Sequence, residues 1–135
     1  MENSELIDKK LTAVYINEDK TVVKLQCDDE YIDLVAEGDC CSETWFEHIS
    51  LPYAFSEEKY TIKSWEDMEL GKAIPTRQEE DELYGVKIGL ETVEGYKYDL
   101  YLEFRNSSNG YYGGSLYIKI GIEPDSSFTK LADSI

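Results

Sequence analysis

Histidine is almost missing from this chain: His48 is the only one. With it go the common catalytic patterns. There is no Ser-His-Asp order, no His-Glu-x-x-His pair and no Gly-rich phosphate loop, which removes the familiar hydrolase, zinc-protease and nucleotide-phosphate classes. Positive charge is also scarce, with 13 Lys and Arg against 29 Asp and Glu, a formal net charge of −16. Such a surface repels nucleic-acid phosphates and anionic lipid. No apolar run approaches the ~20 residues of a membrane-spanning helix. Met1-Glu2-Asn3-Ser4-Glu5 is acidic where a secretory signal is basic. A cytoplasmic protein is therefore expected, in which the sequon Asn106-Ser107-Ser108 has no meaning.

What is present suits one domain over residues 1–135, with 41% hydrophobic residues and enough length for one core. The ends, 1–9 and 125–135, read as loosely ordered. Leu11–Ile16, Thr21–Cys27 and Tyr31–Ala36 are short runs of strand formers separated by polar turns, an antiparallel meander. Val23, Leu25 and Cys27 share one face. Further on, Val86–Leu90, Tyr96–Phe104 and Leu116–Ile122 alternate in the same way. Tyr60–Trp65 reads as a weaker strand, and 75–82 as an exposed acidic loop. Between the two groups Ser42 is placed to cap a short helix over 43–50. Glu43 would sit in its first turn, Trp45, Phe46 and Ile49 would form its apolar face, and Pro52 would end it. The expected fold is β-rich α+β: antiparallel meanders with one short helix packed on the sheet.

Two strings are unusual. The first is Asp39-Cys40-Cys41-Ser42-Glu43-Thr44-Trp45. Adjacent Cα atoms lie about 3.8 Å apart, below the usual ~4.4–6.8 Å disulfide range, so a Cys40–Cys41 bridge would be strained. A reactive Cys41 thiolate at a helix start is opposed by Asp39, Glu43 and Glu47. Cys27, Cys40, Cys41 and His48 would make a ligand set zinc accepts, but no C-x-x-C spacing supports it. We prefer small buried thiols at a tight junction, with no metal and no cofactor. The second string is Ser108-Asn109-Gly110-Tyr111-Tyr112-Gly113-Gly114. Asn-Gly is a strong hairpin signal, and turn chemistry alone accounts for the glycines. Alternatively Ser108, Asn109, Tyr111 and Tyr112 form a loop that binds a nucleotide or sugar.

With Asp39-Cys40-Cys41-Ser42-Glu43 and Ser108-Asn109-Gly110-Tyr111-Tyr112 in this order, the chain resembles a family of small, uncharacterised bacterial and phage proteins, a domain of unknown function. The resemblance covers roughly residues 10–120. It departs in the segment between the motifs, at Leu51–Phe55 and the 79–82 acidic run, and His48 is outside the pattern. It implies a prokaryotic or viral cytosolic protein and brings no activity.

The expected function is non-enzymatic: a binding or inhibitory protein, of a kind a phage carries, that presents carboxylates to a basic, nucleic-acid-binding protein. Spaced acids present a field like that of a phosphate backbone. The candidate partner-binding residues are Glu66, Asp67, Glu69, Glu79, Glu80, Asp81 and Glu82. No catalytic residue, direct nucleic-acid contact or membrane contact is expected, and no pair of carboxylates stands out for glycoside chemistry.

Overall fold

The structure, a computed structural model, describes residues 1–55 and 58–135. The first meander forms where alternation places it: β1 (Lys10–Asn17), β2 (Val22–Cys27) and β3 (Glu30–Gly38), all antiparallel. Asn17 shapes the first turn, its Oδ1 accepting the N–H groups of Thr21 and Val22 at 2.8 and 2.9 Å. Lys20 and Asp28 hold the left-handed turn positions, at φ +59° and +52°.

The expected helix over 43–50 is a strand. β4 (Glu43–Ser50) pairs antiparallel with β7 (Lys97–Ser108), matching Phe46 to Phe104 and Ile49 to Leu102. The register shifts between Phe46 and His48, so Glu47 is an extra residue. That bulge turns Phe46 and Ile49 to the same side although they are three residues apart, a spacing that imitates a helix. The fold is therefore nearly all antiparallel β-sheet, not α+β. The helical residues described are the 3-10 turn Asn3–Leu6 and Phe55. Among the described residues no helix is long and apolar enough to cross a membrane.

β5 (Tyr60–Ala73) and β6 (Glu80–Thr92) form a long hairpin, and β6 continues into β7 through a turn at Gly95. β8 (Gly114–Gly121) and β9 (Phe128–Lys130) complete the fold. The nine strands run in the order β4-β7-β6-β5-β1-β2-β3-β8, with β9 beside β1. The Asn109-Gly110 turn is thus no hairpin corner, because β7 pairs with β4 and β6 while β8 pairs with β3. It carries the chain from one half of the sheet to the other.

The sheet bends at β1. Lys10 and Leu11 pair with β5, but Tyr15–Asn17 pair with β9. Inward residues of both halves, from Leu11, Leu25 and Leu34 to Phe46, Ile88 and Leu102, belong to one core cluster, so the halves face each other. The ends expected to be loose are built in. Leu6 is buried, Leu131 is buried after β9, and Ile135 exchanges backbone hydrogen bonds with Ile49 at 2.9 and 3.1 Å.

Candidate functional site

Both unusual strings meet at one end of the sheet, through Asn106. Thr44 Oγ1 donates to Asn106 Oδ1 at 2.8 Å, and Asn106 Nδ2 donates to the Tyr112 carbonyl at 2.9 Å. The approach is close: a Cβ on Gly114 would lie 2.9 Å from Asn106 Cβ and 3.0 Å from Thr44 Oγ1. Asn106 is buried, so each polar atom of its amide needs a partner, and the two strings supply both.

The cysteines do not pack as expected. Cys40 and Cys41 are both exposed on the β3–β4 turn, with sulfurs 3.3 Å apart. Their backbone is turned by Cys41 at φ +69° and held by Ser42, whose N–H and hydroxyl both reach the Asp39 carbonyl. The contact with Cys40 raises the Cys41 thiol pKa, which disfavours a thiolate. Cys27 is buried on β2, and burial pushes its thiol up to about 12. The four groups considered for zinc do not converge; among the described residues no cluster of His, Cys, Asp and Glu is arranged to hold a metal.

Two of the four tyrosine-loop residues serve the loop itself. Ser108 Oγ accepts the Gly110 N–H at 3.1 Å, and Asn109 Oδ1 accepts the Tyr111 N–H at 3.2 Å. Tyr111 is 86% exposed and Tyr112 37%, and neither ring lines the large cleft described below. Gly110 sits at φ +97° with the Glu80 carboxylate 3.1 Å from where a Cβ would be. Gly110→Ala should therefore destabilise by about 1 kcal/mol, read as a lower urea midpoint.

The acidic residues separate into kinds. Asp81 is fully buried and is corrected from the partner-binding set. It begins the outer face of β6 beneath the 74–79 loop, which folds back over the sheet. Its Oδ2 accepts from Thr76 Oγ1 at 2.6 Å and from Arg105 Nη1 at 2.9 Å, while Oδ1 has no partner within hydrogen-bond distance. Burial pushes its carboxyl up, but the donors Ser107, Thr76 and Arg105 outweigh it and hold the pKa below the usual value. The same loop is pinned by Gln78, whose N–H donates to Ser107 Oγ and whose side chain donates to the Cys41 carbonyl. Arg77 stacks on Trp45, 3.9 Å from the ring centre. The expected acidic loop at 75–82 is thus a short fold-back followed by the start of β6.

Glu80 bonds Lys72 at 3.0 Å, and Glu82 accepts the Tyr84 hydroxyl at 2.8 Å. Glu66 lies 3.9 Å from Lys87. Glu69 and Glu79 have no ion-pair partner among the described residues, and Asp67 accepts only the Trp65 indole N–H, at 3.0 Å. Glu66, Asp67, Glu69 and Glu79 are exposed.

Asp67 and Glu69 stand on the wall of a cleft of about 500 Å³ between the β5–β6 hairpin and β8. Trp65, Met68, Tyr84, Phe104, Leu116 and Ile118 also line it. Tyr84 stacks on Phe104 with ring centres 5.1 Å apart, and its hydroxyl also accepts the Gly114 N–H at 3.4 Å. The cleft has an aromatic floor and an anionic wall, and no Lys or Arg among its lining residues.

Residues 4–118 match the family model described as a domain of unknown function, DUF7448. This chain belongs to the DUF7448 family. An uncharacterised protein, L278, of Acanthamoeba polyphaga mimivirus is 34% identical over 128 residues, spanning 87% of this chain and 94% of that one. No solved structure matches.

The DUF7448 match ends within β8 and includes both strings and most of the cleft. The cleft residues Tyr84, Phe104 and Leu116 escaped sequence reading because alternation marks them only as core. One signal was there. In β7 the inward phase Leu100, Leu102, Phe104 continues as Asn106 and Ser108, polar residues that must find buried partners.

Proposed function

We propose that this DUF7448 protein is a non-enzymatic binding protein that presents the exposed carboxylates of the β5–β6 hairpin to a basic protein partner. The observation that carries the reading is the pair Asp67 and Glu69: two exposed acids on one face of β5 with no ion-pair partner among the described residues, while Glu66 stands on the other face, 3.9 Å from Lys87. A formal charge of −16 extends their attraction over a Debye length of about 8 Å at physiological salt. Like charges held on a rigid strand do not collapse onto the surface as flexible side chains do, so the field persists in the free protein. A nucleic-acid-binding protein fits best, because its groove already accepts closely spaced anions. A viral or phage-borne inhibitor is the corresponding biological role; the mimivirus relative supports the viral setting alone. The compartment in this reading is the cytoplasm.

The test is binding to a panel of basic nucleic-acid-binding domains at rising salt, with DNA as competitor. The expected result is affinity that falls steadily with salt and is displaced by DNA. Glu66→Lys, Asp67→Lys and Glu69→Lys combined should weaken it about tenfold or more, an effect of at least about 1.4 kcal/mol. Affinity indifferent to salt and to these substitutions would sink the proposal.

A further inference from the structure

β8 is the last strand of the sheet order, and among the described residues it pairs along one edge only, with β3. Apart from the Gly114 N–H, which bonds the Tyr84 hydroxyl, its outward-facing backbone donors and acceptors therefore have no strand opposite them. The other terminal strand is protected: β4 has Ile135 beside Ile49, and the Lys20 carbonyl accepts the Phe46 N–H at 2.7 Å. An open edge is usually blunted by charge, proline or a covering loop. This one carries a single charged residue, Lys119, and no proline. Apolar side chains stand out along it and just past it: Ile120 is 64% exposed and Ile122 81%.

Sequence alternation places Ile120 and Ile122 in the same phase as Ile118, which is buried. The core-facing side of β8 thus continues beyond the core without cover. The open side is the cleft, and its opposite wall holds Trp65, Asp67, Met68 and Glu69. A strand lying there would meet unpaired backbone on one side, an apolar floor of Tyr84, Phe104 and Leu116 beneath, and carboxylates across from it.

We propose that the cleft takes an extended Lys- or Arg-rich segment of the partner, which adds to the sheet as a strand beside β8. The inference rests on the acidic-surface reading above and specifies how the partner docks. Backbone hydrogen bonds hold an added strand, and alternate side chains set its specificity. Here the inward phase of the added strand turns apolar groups onto the aromatic floor, and Asp67 and Glu69, on the same face as Tyr84, attract the strand's cations across the cleft. The lining residues include two carboxylates and no cation, so the charge selects a basic segment. A second copy of this chain is disfavoured as the occupant, because each copy carries a formal charge of −16.

The experiment uses the full chain and a synthetic peptide of alternating lysine and valine. Two N-methylated versions, one for each alternate phase, remove backbone donors while keeping the charge. A flexible Lys/Gly/Ser peptide of equal charge is the control. Binding is followed by calorimetry, and amide exchange reports which strand becomes protected. The expected result is that the parent peptide binds and slows exchange within residues 114–121. One methylated phase should bind about tenfold more weakly or worse, and the other less so. Asp67→Lys with Glu69→Lys should weaken the parent by a similar factor.

Equal, salt-sensitive binding of all four peptides would overturn strand addition and leave the acidic-surface reading standing. Binding by none of them, together with failure of the basic domains, would remove both. Self-association seen by sedimentation and abolished by Ile120→Lys would overturn the proposal by giving the edge to a second copy.

Discussion

Replacing Phe46 by alanine should lower the unfolding free energy by about 3–5 kcal/mol, out of a total of about 5–15 kcal/mol for a domain of this kind. The side chain is fully buried in the core cluster and meets Phe104 edge-on, with ring centres 6.2 Å apart. The loss combines the transfer free energy of the ring with a cavity that the paired strands around it cannot easily collapse. Urea unfolding measures it directly. A cost below about 1 kcal/mol would place residue 46 outside the core. Deletion of Glu47 makes the informative comparison. Phe46 already pairs with Phe104, and His48 with Glu103, so removing the extra residue leaves a continuous ladder with Phe46 and Ile49 still inward. What it removes is the Trp45 indole bond at 2.6 Å and the Arg105 ion pair at 3.2 Å. The expected cost is under about 2 kcal/mol. In a helix the same deletion would rotate Ile49 away from Phe46 and cost far more.

Asp81→Ala should destabilise by about 3 kcal/mol. It leaves the Arg105 guanidinium with Glu47 and the Ile74 carbonyl, and frees Thr76 of the fold-back loop. Breaking one side of a buried pair costs more than the pair itself contributes, because Arg105 loses its buried carboxylate and keeps only the more exposed Glu47. The pH dependence has a definite sign. Since the folded pKa is depressed, Asp81's contribution is present above its unfolded value, about 3.9. It is lost as pH falls through the lower folded value. Urea midpoints between neutral and strongly acid pH should therefore fall less in Asp81→Asn than in the native chain. Parallel pH curves for the two would refute the assignment.

Asp81 also shows why part of the site was hidden. In the sequence it is one acid in the run Glu79-Glu80-Asp81-Glu82, and nothing local distinguishes it from its neighbours. Burial comes from the 74–79 loop folding back over the sheet and from Arg105, 24 residues away. Lys24 is another such case. It occupies an alternating strand position that suggests solvent, yet it is buried and paired with Asp33 at 2.7 Å. A domain of unknown function was expected from the sequence, and DUF7448 is one; its match spans residues 4–118 without singling out the two strings. The convergence of those strings through Asn106 was not legible, since Thr44 and Asn106 are 62 residues apart.

By itself the sequence determined the positions of most strands and the acidity of the surface. Both are local properties, the first of side-chain alternation on a pleated backbone and the second of composition. Only the tertiary structure decided that residues 43–50 extend beside β7, because the bulge at Glu47 gives a strand the spacing of a helix and long-range pairing settles which one forms. Only the tertiary structure also made the cleft, since an unpaired edge and the wall facing it come from β8 and the β5–β6 hairpin, which sequence order keeps apart.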